Sequence, residues 1–158
     1  MVVGGKKRDR AAVRAAEGYE KAVAAFQAGE RGEAAFYLGA MAHYIGDVSQ
    51  YGHSVPFEQH HSDYEGWVGR RTEAFDTGHF EDYIVADSLV LRTPCTAVKR
   101  ISKVTAGGRG DIFWAMKMDA EYADKNDAFV RSVGLALNLG VNELADVLHR
   151  FFVGVVDE

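Results

Sequence analysis

The sequence predicts an all-α protein, a single compact multi-helix domain over residues 1–158 with residues 1–8 as a flexible lead-in. Three observations predict it. Six stretches read as helices, and in the first of them apolar residues return at steps of three and four, the signature of one buried face. Hydrophobic residues make up 47% of the chain and only two residues are proline, a composition that suits a helical globule. A length of 158 residues is enough for one real core and too short for two domains.

The first helix starts near Asp9, with Ala12, Val13, Ala16, Tyr19, Val23 and Phe26 as its buried face, and Gly29 and Gly32 bracket the break after it. The second, about residues 32–50, is apolar nearly all round and is expected at the centre of the domain. A short loop containing Pro56 leads to a third helix over residues 58–75. Residues 76–87 are less regular, with Thr77-Gly78 as a break. A fourth helix is expected over residues 88–104, with Pro94 in its first turns or kinking it. Residues 105–110 form a loop whose Gly-Gly-Arg-Gly lacks the Lys-Ser/Thr of a phosphate-binding loop. Asp111 is expected to cap a fifth helix running to about residue 124, and a long sixth covers residues 127–153, with Gly140 as a bending point.

Composition narrows the function classes. A net charge of −5 provides no general attraction for nucleic acid or anionic membrane, so any phosphate must be held locally. A single cysteine, Cys95, excludes both an intrachain disulfide and a thiolate metal cage. No stretch approaches the roughly twenty apolar residues of a transmembrane helix. The opening Met-Val-Val-Gly-Gly-Lys-Lys-Arg is basic but is not followed by the apolar run of a secretory signal.

Chemistry concentrates between residues 43 and 65. Residues four apart on a helix share a face, so His43 and Asp47 point one way together, and so do His61 and Glu65. His53 follows the first pair across the Gly52 turn, which can swing it toward the second. His53, His61 and Glu65 then make a two-histidine, one-carboxylate set, the ligand count of a zinc ion with a fourth position open to water. His60 and His61 are neighbours pointing about 100° apart, and His61 is the ligand of choice because its i+4 partner is Glu65 whereas that of His60 is Tyr64. His79 lies in the irregular stretch and is not counted as a ligand. Arg70 and Arg71 offer a phosphate grip or a solvated face, and Trp67 a pocket wall or core packing. The plain alternative makes the His–carboxylate pairs ordinary hydrogen-bonded neighbours.

The same residues carry a resemblance. AAFYLGAMAHYIGDVSQYGH (residues 34–53) resembles the FYLGxxxHYxGDxxQPxH segment of the bacterial zinc-dependent phospholipases C, relatives of the single-strand-specific zinc nucleases, and HSDYEGWV (61–68) resembles the helix that follows it there. Weaker counterparts around Glu17-Gly-Tyr19 and Glu121-Tyr-Ala-Asp124 extend the likeness to about two thirds of the chain. The resemblance implies that His53, His61 and Glu65 hold one zinc, that His43 helps hold a second, and that Asp47 bridges the second to a third. Glu65 points to the phospholipase branch, since the nuclease branch usually carries Asp there. The implied activity is zinc-dependent phosphoric diester hydrolysis on a phosphodiester or phospholipid, with Asp47 as proton acceptor and Glu65 as a ligand of the essential ion. The implied location is extracellular.

Three departures qualify the inheritance. Tyr51-Gly52 stands where the family has Pro-x, the loop between His53 and His61 is short, and no histidine precedes His43 to serve as an upstream ligand. The expectation is therefore a phospholipase C-like helical fold lacking its N-terminal part, or a natural short form, with one complete zinc site and a second partial one. The alternative is a zinc-binding helical domain with little or no catalysis.

Overall fold

In the computed structural model, residues 10–55, 59–73 and 80–156 are described, and they form six helices and no strand. These are α1 (Arg10–Gln27), α2 (Arg31–Asp47), α3 (His61–Glu73), α4 (Pro94–Gly107), α5 (Ala115–Glu121) and α6 (Asp127–Val156). Single helical turns at Tyr51–His53 and Glu81–Tyr83 interrupt the connections. The expected lead-in over residues 1–8, the Pro56 turn and Thr77-Gly78-His79 lie outside the described residues.

α1 and α2 form a tight hairpin. Gly29 adopts a positive φ of 80°, and Glu30 N–H donates to Ala25 O (2.9 Å) while Gly29 N–H donates to Phe26 O (3.0 Å), which satisfies the last carbonyls of α1. The buried face of α1 is not the expected one. Ala12 is buried as anticipated, but Ala15, Gly18, Ala22 and Ala25 accompany it, and Val13 is 53% exposed. The reason is closeness: a Cβ on Gly18 would meet Met41 Cβ and Tyr37 O at 3.3 Å, so only small residues let the two backbones approach. α2 also differs from expectation, because it buries only Ala34, Met41 and Ile45 while Phe36 stands 70% exposed.

Two cores follow. The first joins α1, α2, α4 and the C-terminal half of α6 through Ala12, Ala15, Met41, Ile45, Val98, Ile101 and Val147. The second is aromatic and gathers Tyr64, Trp67, Met118, Phe129 and Val133 from α3, α5 and the N-terminal half of α6, with Tyr51 from the first single turn and Phe80 from just before the second. Spanning about 45 Å over its 30 residues, α6 belongs to both. Gly140, on α6, lies against Ser49, whose Cβ would be 2.9 Å from any Cβ placed there. Its absent side chain serves this contact.

The fourth helix begins six residues later than expected. Pro94 occupies its first turn, and Thr93 caps it, accepting from Thr96 N–H at 3.3 Å. Residues 84–93 form no helix, since proline disfavours helix in the residue before it and α6 side chains bond the segment's amides. Arg92 ties the segment down, its Nε 2.7 Å from Glu143 Oε2 and 2.9 Å from Asp146 Oδ2. Asp111 does not cap α5, which starts at Ala115; it pairs with Arg131 at 2.9 Å.

Candidate metal centre

His53 ends the short turn that follows α2, and its position is fixed by neighbours on both sides. Tyr51, two residues earlier, is buried in the aromatic core with its ring 4.6 Å from that of Tyr64 on α3. Ser54, one residue later, lies 2.6 Å from the hydroxyl of Thr105, which is buried on α4 and itself lies 2.9 Å from Val48 O. Burial pushes the Tyr64 phenol pKa up, with the nearby Tyr51 hydroxyl adding to the shift, so the Tyr64 ring stays neutral as a packing group. Asp119 joins the same framework from α5, accepting from Gln59 N–H at 2.9 Å and from the Tyr51 hydroxyl at 3.5 Å.

This framework sets the turn against the first turns of α3. Glu65 Oε1 lies 3.0 Å from His53 Nε2 and 3.0 Å from His61 Nε2. The two imidazole rings are 4.6 Å apart at an interplanar angle of 76°. One ligand atom from each of His53, His61 and Glu65 lies within 4.8 Å of the others, so these three residues could hold one metal ion. Their side chains are 30–40% exposed, which leaves an approach from solvent.

Gly52 makes the approach possible. It is buried, and a Cβ at this position would sit 2.9 Å from His61 Nδ1. The sequence suggested a turn that swings His53; the close seat for His61 was not visible in it. His60 points elsewhere, stacked on Tyr122 at 4.7 Å and 20°.

No family model, curated protein or solved structure matches the chain.

The remaining candidates take other positions. His43 and Asp47 do share a face of α2, their Nε2 and Oδ2 3.3 Å apart, but His43 is 67% exposed and neither belongs to the group of three. Trp67 is core, as the commoner reading of a helical tryptophan has it, and the Arg71 guanidinium lies over its ring at 4.7 Å. Sequence reasoning missed Tyr51, Tyr64, Thr105 and Asp119 as the groups that aim the ligands. Tyr51 and Tyr64 had a signal, an aromatic residue within two positions of a ligand. Asp119, some sixty residues away, had none. Among the described residues no helix is long and apolar enough to cross a membrane.

Proposed function

We propose that the chain is a zinc-dependent phosphoric diester hydrolase of the phospholipase C type, working with one ion on His53, His61 and Glu65. The observation that carries this reading is the approach of both histidine Nε2 atoms to one carboxylate oxygen at 3.0 Å. Ligand atoms about 2.0–2.2 Å from a tetrahedral zinc stand roughly 3.3 Å from each other, close to the 3.0 Å that separates Glu65 Oε1 from each histidine Nε2. Two neutral imidazoles and a carboxylate also suit zinc in donor type. The resemblance of residues 34–53 and 61–68 to the phospholipase segment supports the choice of substrate class.

When bound, zinc supplies a water of lowered pKa, about 7, and a positive charge facing the phosphoryl oxygens. The protein's part is placement. His53 and His61 approach from two different elements, and Glu65 contributes the negative charge that draws a cation there. The aromatic packing of Tyr51 on Tyr64 holds the turn and the helix in register, and the exposed face of the three ligands admits a phosphodiester from solvent. Asp47 is the proton acceptor of this reading, with His43 its partner in a second, partial set.

A second reading, zinc binding with little or no catalysis, is favoured by the exposure of His43 and by a second set that is only a pair among the described residues. Metal analysis and turnover of a chromogenic phosphodiester separate the two. One zinc per chain with turnover that chelation abolishes and zinc restores supports the hydrolase. One zinc with no turnover supports the binding domain, and zinc content unchanged in both His53→Ala and Glu65→Ala removes the site altogether.

A further inference from the structure

A cavity of about 390 Å³ opens beside α6, a volume that suits a small organic ligand. Its lining comes from α6, from α4 and the loop after it, and from Asp87 and Arg92, and none of His53, His61 and Glu65 takes part. Six charged side chains line it, and four of them are settled among themselves. Arg92 donates through Nε to Asp146 Oδ2 (2.9 Å), and Arg100 through Nε to Glu143 Oε1 (2.7 Å). Both carboxylates are buried, so the two guanidiniums neutralise charges that would otherwise be costly to hold there. The remaining two residues, Asp87 and Arg109, are exposed. Among the described residues neither the Asp87 carboxylate nor the Arg109 guanidinium has a hydrogen-bond or ion-pair partner. The cavity therefore presents one unanswered charge of each sign.

Their places are fixed at two levels of α6. Asp87 N–H donates to Asn142 Oδ1 (3.3 Å). Arg109 and Ile112 exchange backbone hydrogen bonds (2.9 and 3.0 Å), and Phe113 N–H, next in the chain, donates to Ser132 Oγ (2.8 Å). From Ser132 to Asn142 the helix rises about 15 Å. Leu135 and Leu139 line the cavity between these levels, an apolar floor with an acid attached near one end and a base near the other.

We infer that the cavity binds a small zwitterion, an ammonium group and a carboxylate joined by an apolar spacer of several carbons. Asp87 receives the ammonium, and Arg109 donates to the carboxylate, whose planar pair of oxygens matches a guanidinium. The spacer lies on Leu135 and Leu139 and leaves water, which supplies the apolar part of the binding. Net charge selects the class. Three arginines and three carboxylates sum to zero, so a dianion or a dication would bring uncompensated charge into the cavity, whereas a zwitterion brings none. An α-amino acid carries the same two charges only a few ångströms apart and falls short of the span. The assignment is independent of the metal reading.

Isothermal titration calorimetry of the full chain with ε-aminocaproate tests it, since that compound carries an ammonium and a carboxylate at the two ends of a short alkyl chain. Saturable binding at one site is expected. Caproate, hexylamine and glycine lack the ammonium, the carboxylate and the spacer in turn, and each should bind roughly tenfold or more weakly, the worth of about one charge-assisted hydrogen bond. Arg109→Gln should bring ε-aminocaproate down to the affinity of hexylamine, and Asp87→Asn to that of caproate, with the helical circular dichroism unchanged in both. No binding at millimolar ligand, equal affinity for ε-aminocaproate and any one of the three controls, or losses in the two variants that fall on all four compounds alike would each overturn the proposal.

Discussion

Helices α2 and α3 each carry a histidine and a carboxylate four residues apart, and the two pairs have different fates. On α2, His43 and Asp47 meet at 3.3 Å on a face where the imidazole is mostly in solvent. An exposed pair of this kind contributes little, about 0–1 kcal/mol. On α3, His61 and Glu65 meet at 3.0 Å and are joined by His53 at the same distance from the same oxygen. Helical spacing makes a pair wherever the residues recur. A third ligand has to come from another element, and only the second pair has a buried glycine and a packed tyrosine delivering one.

Deleting a ligand should break this comparison most sharply. Glu65→Ala and His53→Ala are expected to weaken zinc binding by well over the roughly 10–100-fold that loss of a supporting group costs, measured by competition with a chromogenic chelator. Retention of affinity in both would mean that α3 holds no more of a site than α2 does. The glycines come next. Gly52→Ala puts a Cβ against His61 and should cost about 10–100-fold in zinc affinity with the circular dichroism spectrum intact. Gly46→Ala, between His43 and Asp47, meets nothing within 4 Å and should leave zinc affinity alone while stabilising α2 by about 0.5–1 kcal/mol in denaturant unfolding.

Metal addition reads the same contrast through stability. Zinc at about a hundred times its dissociation constant adds roughly 2.7 kcal/mol to the folded state, which for a chain of this size raises Tm by about 5–10 °C. The rise should vanish with chelator and in Glu65→Ala. His43→Ala should show the smallest effect of all, stability within about 0.5 kcal/mol of the parent and the zinc-induced rise in Tm unchanged. A rise halved by His43→Ala would instead make the α2 pair part of the metal centre.

The positions of the departures explain what sequence reading reached. Helix number and order were legible, because periodicity and capping residues act within a few turns. The faces were less so. On α1 the large residues Val13 and Phe26 drew attention, yet the stripe of small residues through Gly18 is what meets α2, since packing distance selects for the absence of a side chain. Residues 88–93 read as helix, and the outcome was decided by Pro94 and by acceptors on α6 some fifty residues further along. For the metal group, His53, His61 and Glu65 were all readable from spacing, whereas the exposure of His43 was not, because α2 is apolar by composition and the neighbours that cover one of its faces are distant in the chain.

By itself the sequence determined six helices, the shared face of each His–carboxylate pair and the turn after α2, all of which depend on covalent geometry and on hydrogen bonds between near neighbours. Tertiary structure alone decided which pair acquires a third ligand. That choice rests on Tyr51 packing against Tyr64, on His61 lying against Gly52, and on Thr105 and Asp119 reaching in from α4 and α5. Contacts between residues far apart in the chain are selected by the free energy of burying surface and pairing polar groups over the whole fold, a sum that no local window of residues contains.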